Sequence, residues 1–103
     1  MSSNGGFEII FSPKAEKEFL DSIEWYEENL TNLGLELKNE VKRVLEIIEQ
    51  NPYTFQIKKL DIREAHIKTF PYLIIYKIYH KKKEVFILSV FHTSRNPVGK
   101  HKR

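Results

Sequence analysis

The apolar residues of the N-terminal half recur with a helical spacing. The first stripe follows Ser12-Pro13, a typical helix start, because serine caps free amides and proline needs no donor at the first position. The stripe recurs at three- and four-residue steps: Ala15, Phe19, Ile23, Tyr26 and Leu30. A break at residues 31–34 precedes a second stripe, Leu37, Val41, Val44, Leu45 and Ile48, which ends before Asn51-Pro52. So short a connection predicts an antiparallel helical hairpin.

The rest of the chain has the composition of strands. Residues 7–11 (FEIIF) form a short candidate before the first helix, and residues 57–67 are predicted to be one extended strand. Residues 72–79 and 85–91 are rich in β-branched and aromatic side chains, and the charged run 80–84 between them suits a hairpin turn. We therefore predict an α+β fold: an N-terminal strand, an antiparallel helical hairpin, then a three-strand antiparallel meander, with the helices on one sheet face.

The side chains of the two long strands alternate between two faces, and both faces are largely apolar. One set contains Lys77 and Ser89 and is the better candidate for the side away from the helices. Its other members are Leu73, Ile75, Ile87 and Phe91. Two helices can cover only one face of such a sheet. Either a curled sheet and the C-terminal tail hide this second surface, or a partner segment fills it as an apolar groove.

Length and composition indicate one soluble domain. The chain has 103 residues, 30% of them charged, and a formal net charge of +3, which alone does not establish nucleic-acid binding. We expect a disordered segment over 1–6, one domain over 7–97 and a basic tail over 98–103. The absence of cysteine excludes disulfides and is compatible with a reducing cytoplasm. No apolar run is long enough to span a bilayer, and no cofactor or metal spacing is evident.

Candidate chemistry lies near the ends of the long strands. Cleavage of RNA through the ribose 2′-hydroxyl needs an acid, a base and cations for the phosphate. Arg63 and Arg95 can hold phosphate and His92 can transfer protons, whereas Glu64 and His66 are weaker alternatives. The run Lys81, Lys82 and Lys83 can steer a nucleic acid or another target. Each residue also has a structural explanation: an ion pair for Arg63, packing for His92, an anchor at the strand exit for Arg95, and a solvated turn for the lysines.

Four segments resemble the RelE/ParE superfamily of toxins from type II toxin–antitoxin systems. They are FEIIFSPKAEKEFLDSIEWYEEN, the helix end IIEQNP, LDIREAHIKTFPYLIIYKI and VFILSVFHTSRNP, and they cover nearly the whole chain in the expected order. The resemblance implies a cytoplasmic bacterial toxin that is neutralised by a cognate antitoxin. We expect the antitoxin to bind either at Leu73, Ile75, Ile87 and Phe91 or along the helical hairpin. Contact with operator DNA is then expected only through that antitoxin.

The superfamily contains two chemistries. RelE-like members cleave mRNA on the ribosome, whereas ParE-like members inhibit DNA gyrase and are not nucleases. The segments FPYLIIYKI and VFHTSRNP are more similar to the ParE or plasmid-stabilisation branch. RelE-like enzymes commonly place a catalytic tyrosine or another acid or base near the C-terminus, and only VGKHKR follows Asn96-Pro97 here. The resemblance thus implies a gyrase inhibitor first, an mRNA endoribonuclease second, and thirdly an inactive relative that only binds antitoxin or DNA.

Overall fold

The computed structural model describes residues 6–94, and within this range five strands form one sheet with two helices packed on it. The elements are β1 (Glu8–Phe11), α1 (Pro13–Asn29), α2 (Leu33–Gln50), β2 (Gln56–Lys59), β3 (Ile62–His66), β4 (Tyr72–Tyr79) and β5 (Glu84–His92). The strand order is β1-β5-β4-β3-β2; β1 runs parallel to β5 and the other pairs are antiparallel. The predicted α+β fold with a helical hairpin is confirmed. No helix within residues 6–94 is long and apolar enough to cross a membrane.

The segment predicted as one strand over 57–67 is a hairpin of two short strands instead. The chain reverses at Leu60-Asp61, where Leu60 has a φ of 54° and is 84% exposed. All four residues of β2 are exposed, so this edge strand contributes little to the core. The sequence gave no signal for this turn, because leucine rarely adopts the left-handed conformation and is not a residue that predicts a turn.

A side-chain cap fixes the start of α1 as predicted, whereas Asn32, the N-cap residue of α2, makes no side-chain capping hydrogen bond. Ser12 is the N-cap of α1: its Oγ accepts a hydrogen bond from the Ala15 amide (3.0 Å) and donates one to the carbonyl of Leu88 (3.2 Å). The hairpin between α1 and α2 requires glycine at position 34. A Cβ at Gly34 would lie 2.5 Å from the carbonyl oxygen of Ile23. The two atoms would overlap at this distance, so the backbone would have to move. The first helix is therefore tied to β5, and the helices are held close together at their tip.

The main core lies between the helical hairpin and one face of the sheet. It is formed by buried side chains from both helices and from β3, β4 and β5, the largest being Tyr72, Tyr76, Leu37, Ile48, Ile74 and Ile87. Burial of this apolar surface is the dominant stabilising contribution. The helical stripes predicted from the sequence supply Leu37, Val41, Val44 and Ile48 to this core.

A β-bulge in β5 corrects the predicted assignment of its faces. Ser89 pairs with Ile75 and Ile87 pairs with Tyr76, so Leu88 is an extra residue between them. Each extra residue reverses the alternation beyond it. Ile87 consequently lies on the helix side, fully buried in the main core, and not on the opposite face where we expected it. Leu88 packs on that opposite face in its place.

The face opposite the helices is apolar, as predicted, but its side chains are not exposed. Leu73, Ile75 and Phe91 are only 2%, 4% and 7% exposed, and Ile62 and Leu88 pack against them as a second cluster. Of the two alternatives that the sequence left open, these low exposures fit a hidden surface and not an open groove. The members of this cluster come from three adjacent strands, β3, β4 and β5.

The edge of β5 beyond the bulge is completed by α1 and not by a strand. The strand β1 ends at Phe11, opposite Ile87, and no other strand of residues 6–94 pairs with the later residues of β5 on that side. There the Oε1 atom of Glu18 accepts hydrogen bonds from the Val90 amide (2.9 Å) and the Ser89 hydroxyl (2.8 Å). A helix carboxylate thus takes the place of a neighbouring strand's carbonyl.

Candidate functional site

The loop between α2 and β2, residues 51–55, is held against the sheet by Tyr76. The Tyr76 hydroxyl donates a 2.7 Å hydrogen bond to the carbonyl of Pro52, which is itself buried. Burial raises the pKa of Tyr76 from 10.0 to about 12, although the positive charge of Arg63 and a hydrogen bond with the Phe55 backbone oppose the increase. This buried hydroxyl fixes the loop and, with it, the position of Tyr53.

Arg63 supports the same loop from the neighbouring strand. It pairs with Tyr76 across the sheet, and its Nη1 donates a 2.7 Å hydrogen bond to the carbonyl of Phe55. Its Cζ atom lies 5.5 Å from the centre of the Tyr53 ring, within the range of a cation–π contact. The guanidinium that was predicted to hold phosphate therefore contacts the protein's own loop.

His92 lies at the other end of the sheet and packs against Tyr72. Their ring centres are 4.9 Å apart at 85°, an edge-to-face contact. The Nδ1 atom of His92 accepts a 3.2 Å hydrogen bond from the Ser94 amide. His92 also lines a depression of about 310 Å³ with Trp25 and two carboxylates, Glu18 and Asp21. Carboxylates repel a phosphate, so these surroundings do not suit phosphate binding.

The described residues do not bring the predicted nuclease residues together. Arg63 and His92 flank β4 on opposite sides and are four residues out of register, which places their Cα atoms about 16 Å apart. Arg95 lies outside the described residues. Glu64 is buried on the face opposite the helices, beside Ile75, and His66 is exposed at the end of β3. Within residues 6–94, no group of three His, Asp or Glu side chains is placed to hold a metal ion.

A cluster of rings and cations that we did not predict surrounds the turn between β4 and β5. The rings of Tyr53 and His80 are stacked, 5.5 Å apart with an angle of 17°, and the Tyr53 hydroxyl lies 2.7 Å from Nδ1 of His80. Phe7 meets Tyr53 edge-on at 6.0 Å, and the Nζ atom of Lys83 lies 5.2 Å from the Phe7 ring. Sequence reasoning gave His80 no partner, because Tyr53 is 27 residues away and no periodicity links them.

The lysines of this turn lie between two depressions of the surface. One, of about 720 Å³, lies beside β1 and α2 and is lined by residues that include Phe7, Lys82 and Lys83. The other, of about 430 Å³, lies beside the end of β4; we call it the turn pocket. Its lining is Asp61, Lys77, Ile78, Tyr79, His80, Lys81 and Lys82. The predicted lysine run thus borders concave surfaces that contain aromatic side chains.

The fold is that of the RelE/ParE superfamily of toxins. A family model of the ParE toxin of type II toxin–antitoxin systems, parDE, matches residues 9–97, and the chain belongs to this family. It is therefore the toxin component of a type II toxin–antitoxin system, as the resemblance implied. A search of curated proteins found no match.

Two solved structures share this architecture. A chain of the chromosomal ParDE toxin–antitoxin system from P. aeruginosa superposes with a TM-score of 0.71 at 13% identity, covering 84% of this chain and 95% of that chain. A chain of the intact E. coli RelBE toxin–antitoxin complex superposes with a TM-score of 0.68 at 20% identity, covering 86% of this chain and 99% of that chain. At these identities the likeness concerns the fold, and it includes both branches of the superfamily.

Proposed function

We propose that this chain is a ParE-like toxin that inhibits DNA gyrase by binding it and catalyses no reaction of its own. The observation that carries the proposal is the match of residues 9–97 to the ParE toxin family. This reading places the protein in the cytoplasm, where gyrase acts. Inhibition by binding needs an exposed surface that is complementary to gyrase. It does not need a catalytic site in which a general acid, a general base and a phosphate-binding cation lie together.

The placement of the candidate nuclease residues supports the gyrase reading over RNA cleavage. A general base and the cation that stabilises the phosphate must both reach the same ribose and phosphate, within a few ångströms of each other. Arg63 is engaged with the Phe55 carbonyl, and His92, about 16 Å away by strand geometry, lies beside Glu18 and Asp21. In this arrangement the two side chains have separate partners and do not converge on one phosphate.

The deciding experiment applies two assays to one preparation of the full-length protein. We expect inhibition of gyrase supercoiling of relaxed plasmid, and intact transcripts when the protein is added to a translating extract. The matched control is the same preparation after addition of the cognate antitoxin, which should restore supercoiling. Undiminished supercoiling at high toxin excess, together with ribosome-dependent cuts in mRNA, would refute the proposal and identify a RelE-like endoribonuclease. Growth arrest on induction separates either activity from an inactive relative.

We propose a cognate antitoxin as the second partner, bound on the exposed apolar side chains of the helical hairpin. Both structural neighbours come from toxin–antitoxin systems. Trp25, Leu30 and Leu35 are 46%, 62% and 52% exposed, whereas the sheet-face residues that we first considered are nearly fully buried. Large exposed apolar side chains mark protein-binding surfaces more reliably than buried ones. Operator DNA is then contacted only through the antitoxin.

Paired substitutions test this choice of surface. Leu30→Asp together with Leu35→Asp should weaken antitoxin binding at least about tenfold, because two apolar contacts are replaced by charges. Leu88→Asp, on the opposite sheet face, is the matched control and should leave the affinity within about twofold. The measurement is isothermal titration with the purified antitoxin, after circular dichroism has confirmed the fold. The reverse result would assign antitoxin binding to the sheet face.

A further inference from the structure

The turn between β4 and β5 contains three lysines, and one of them, Lys83, has a backbone conformation that favours glycine. Lys83 has a φ of 53°, and its amide donates a 3.2 Å hydrogen bond to the carbonyl of His80, which closes the turn. Glycine or asparagine normally occupies such a left-handed position at a hairpin end. Lysine there is less favourable for the backbone, so its presence adds a cation to the turn at a cost in stability.

The turn pocket exists because β4 is longer than its neighbour. Ile62, the first residue of β3, pairs with Lys77, so the last residues of β4 extend past the end of β3. The pocket's polar lining residues are Asp61, Lys77, His80, Lys81 and Lys82. Three of these are lysines and one is a carboxylate, Asp61, whose Oδ2 lies 3.8 Å from the Nζ atom of Lys77, so cations outnumber carboxylates in the lining.

The imidazole of His80 is held in place by Tyr53 although the residue lies on the surface. One face is stacked on Tyr53, and the short contact between Nδ1 and the Tyr53 hydroxyl fixes the rotation of the ring. His80 is nevertheless exposed, and the adjacent Tyr79 is 41% exposed. Tyr53 is in turn fixed by the loop that Tyr76 anchors. A prepositioned ring loses little conformational entropy when another ring stacks on it.

We propose that the turn pocket binds single-stranded nucleic acid, with a base stacked on His80 and neighbouring phosphates held by Lys81 and Lys82. Sites that bind single strands of any sequence combine flat rings, on which bases stack, with flexible cations that contact the phosphates. The volume of about 430 Å³ is sufficient for one nucleotide. An acidic protein segment would use the lysines but has no need of an exposed, oriented ring. This inference does not depend on gyrase inhibition or on antitoxin binding.

The test measures binding of a fluorescein-labelled deoxythymidine decamer to the full-length protein by fluorescence anisotropy. His80→Ala should weaken binding at least about fivefold, and His80→Phe should restore most of it, because phenylalanine retains a stacking face. Lys81→Gln with Lys82→Gln should weaken binding and reduce the slope of log affinity against log salt by about 1.4, as expected for two lost phosphate contacts. A decamer of glutamate with the same label should bind at least about tenfold more weakly than the decamer of thymidine.

The matched control is Lys17→Gln with Lys38→Gln, which removes the same charge from exposed positions on the two helices. This variant should keep the parent affinity within about twofold and the parent salt slope. The proposal is overturned if the two lysine pairs weaken binding equally, if His80→Ala binds like the parent, or if the glutamate decamer binds as tightly as the thymidine decamer. Absence of binding by the parent protein at low salt also overturns it. The assay contains neither gyrase nor antitoxin, so its outcome is independent of the proposed function.

Discussion

The Tyr76→Phe variant should be less stable than the wild type at neutral pH but more stable than the wild type at high pH. The hydroxyl of Tyr76 is buried and donates to the carbonyl of Pro52 at 2.7 Å. Tyr76→Phe removes this hydrogen bond and leaves the carbonyl of a buried proline without that donor. At pH 8 we expect the wild type to be more stable than the variant by about 1 to 1.5 kcal/mol.

The greater stability of the wild type should disappear with increasing pH because the pKa of Tyr76 is about 12 in the folded state and about 10.0 in the unfolded state. Below pH 10 the phenol is neutral in both states, so the full stabilisation is present. Between pH 10 and pH 12 the unfolded state loses its proton first, and the free energy of unfolding falls. The difference between the two pKa values lowers the free energy of unfolding of the wild type by about 2.7 kcal/mol in all, and about 1.4 kcal/mol of this is lost by pH 11.

The two proteins should therefore have equal stability near about pH 11, and the order should be reversed above it. Urea denaturation followed by circular dichroism, at intervals from pH 8 to pH 11.5, gives the free energy of unfolding of each. Other tyrosines and lysines titrate in both proteins, so the difference between the two isolates Tyr76. A difference that stays constant over the whole range would show that the hydroxyl titrates alike in both states, and would refute the burial argument.

Three further substitutions test the packing. Gly34→Ala should destabilise the protein by about 2 kcal/mol or more in thermal unfolding, because a Cβ meets the backbone of α1 there; a neutral result would show that the helices can separate without cost. Glu18→Ala should cost about 2 kcal/mol and accelerate hydrogen exchange at the Val90 amide selectively, whereas uniform acceleration would indicate general loosening. Ile87→Ala should cost about 2 to 5 kcal/mol and Leu88→Ala less than about 1.5 kcal/mol in urea denaturation, and equal costs would contradict the bulge.

The elements with local signals were predictable from the sequence. The start of α1 at Ser12-Pro13 and the end of α2 before Asn51-Pro52 both depend on residues within one turn of the boundary. The two long strands were identified by composition within a residue or two of their ends. Helix periodicity also identified most of the buried helix residues, because a helix packed on a sheet must be apolar on that side.

The bulge at Leu88 and the cluster around His80 could not be predicted in the same way. An inserted residue leaves the composition of a strand unchanged, so the alternation past Ser89 supported the wrong face for Ile87. The partner of His80 comes from a loop whose position depends on Tyr76 and Arg63. Arg63 was predicted as a phosphate ligand because its type suits that role, but its partner is a backbone carbonyl that only the folded loop supplies.

The parallel pairing of β1 with β5 has a consequence for the order in which the chain acquires structure during synthesis. Residues 8–11 are made more than 70 residues before their partners, residues 84–87. The hydroxyl of Ser12 and the carboxylate of Glu18 likewise wait for atoms of the same late strand. The helical hairpin can form early, but the sheet closes only after β5 has been made. Until then, β1 lacks its parallel neighbour and the Ser12 hydroxyl at the start of α1 lacks the Leu88 carbonyl to which it donates.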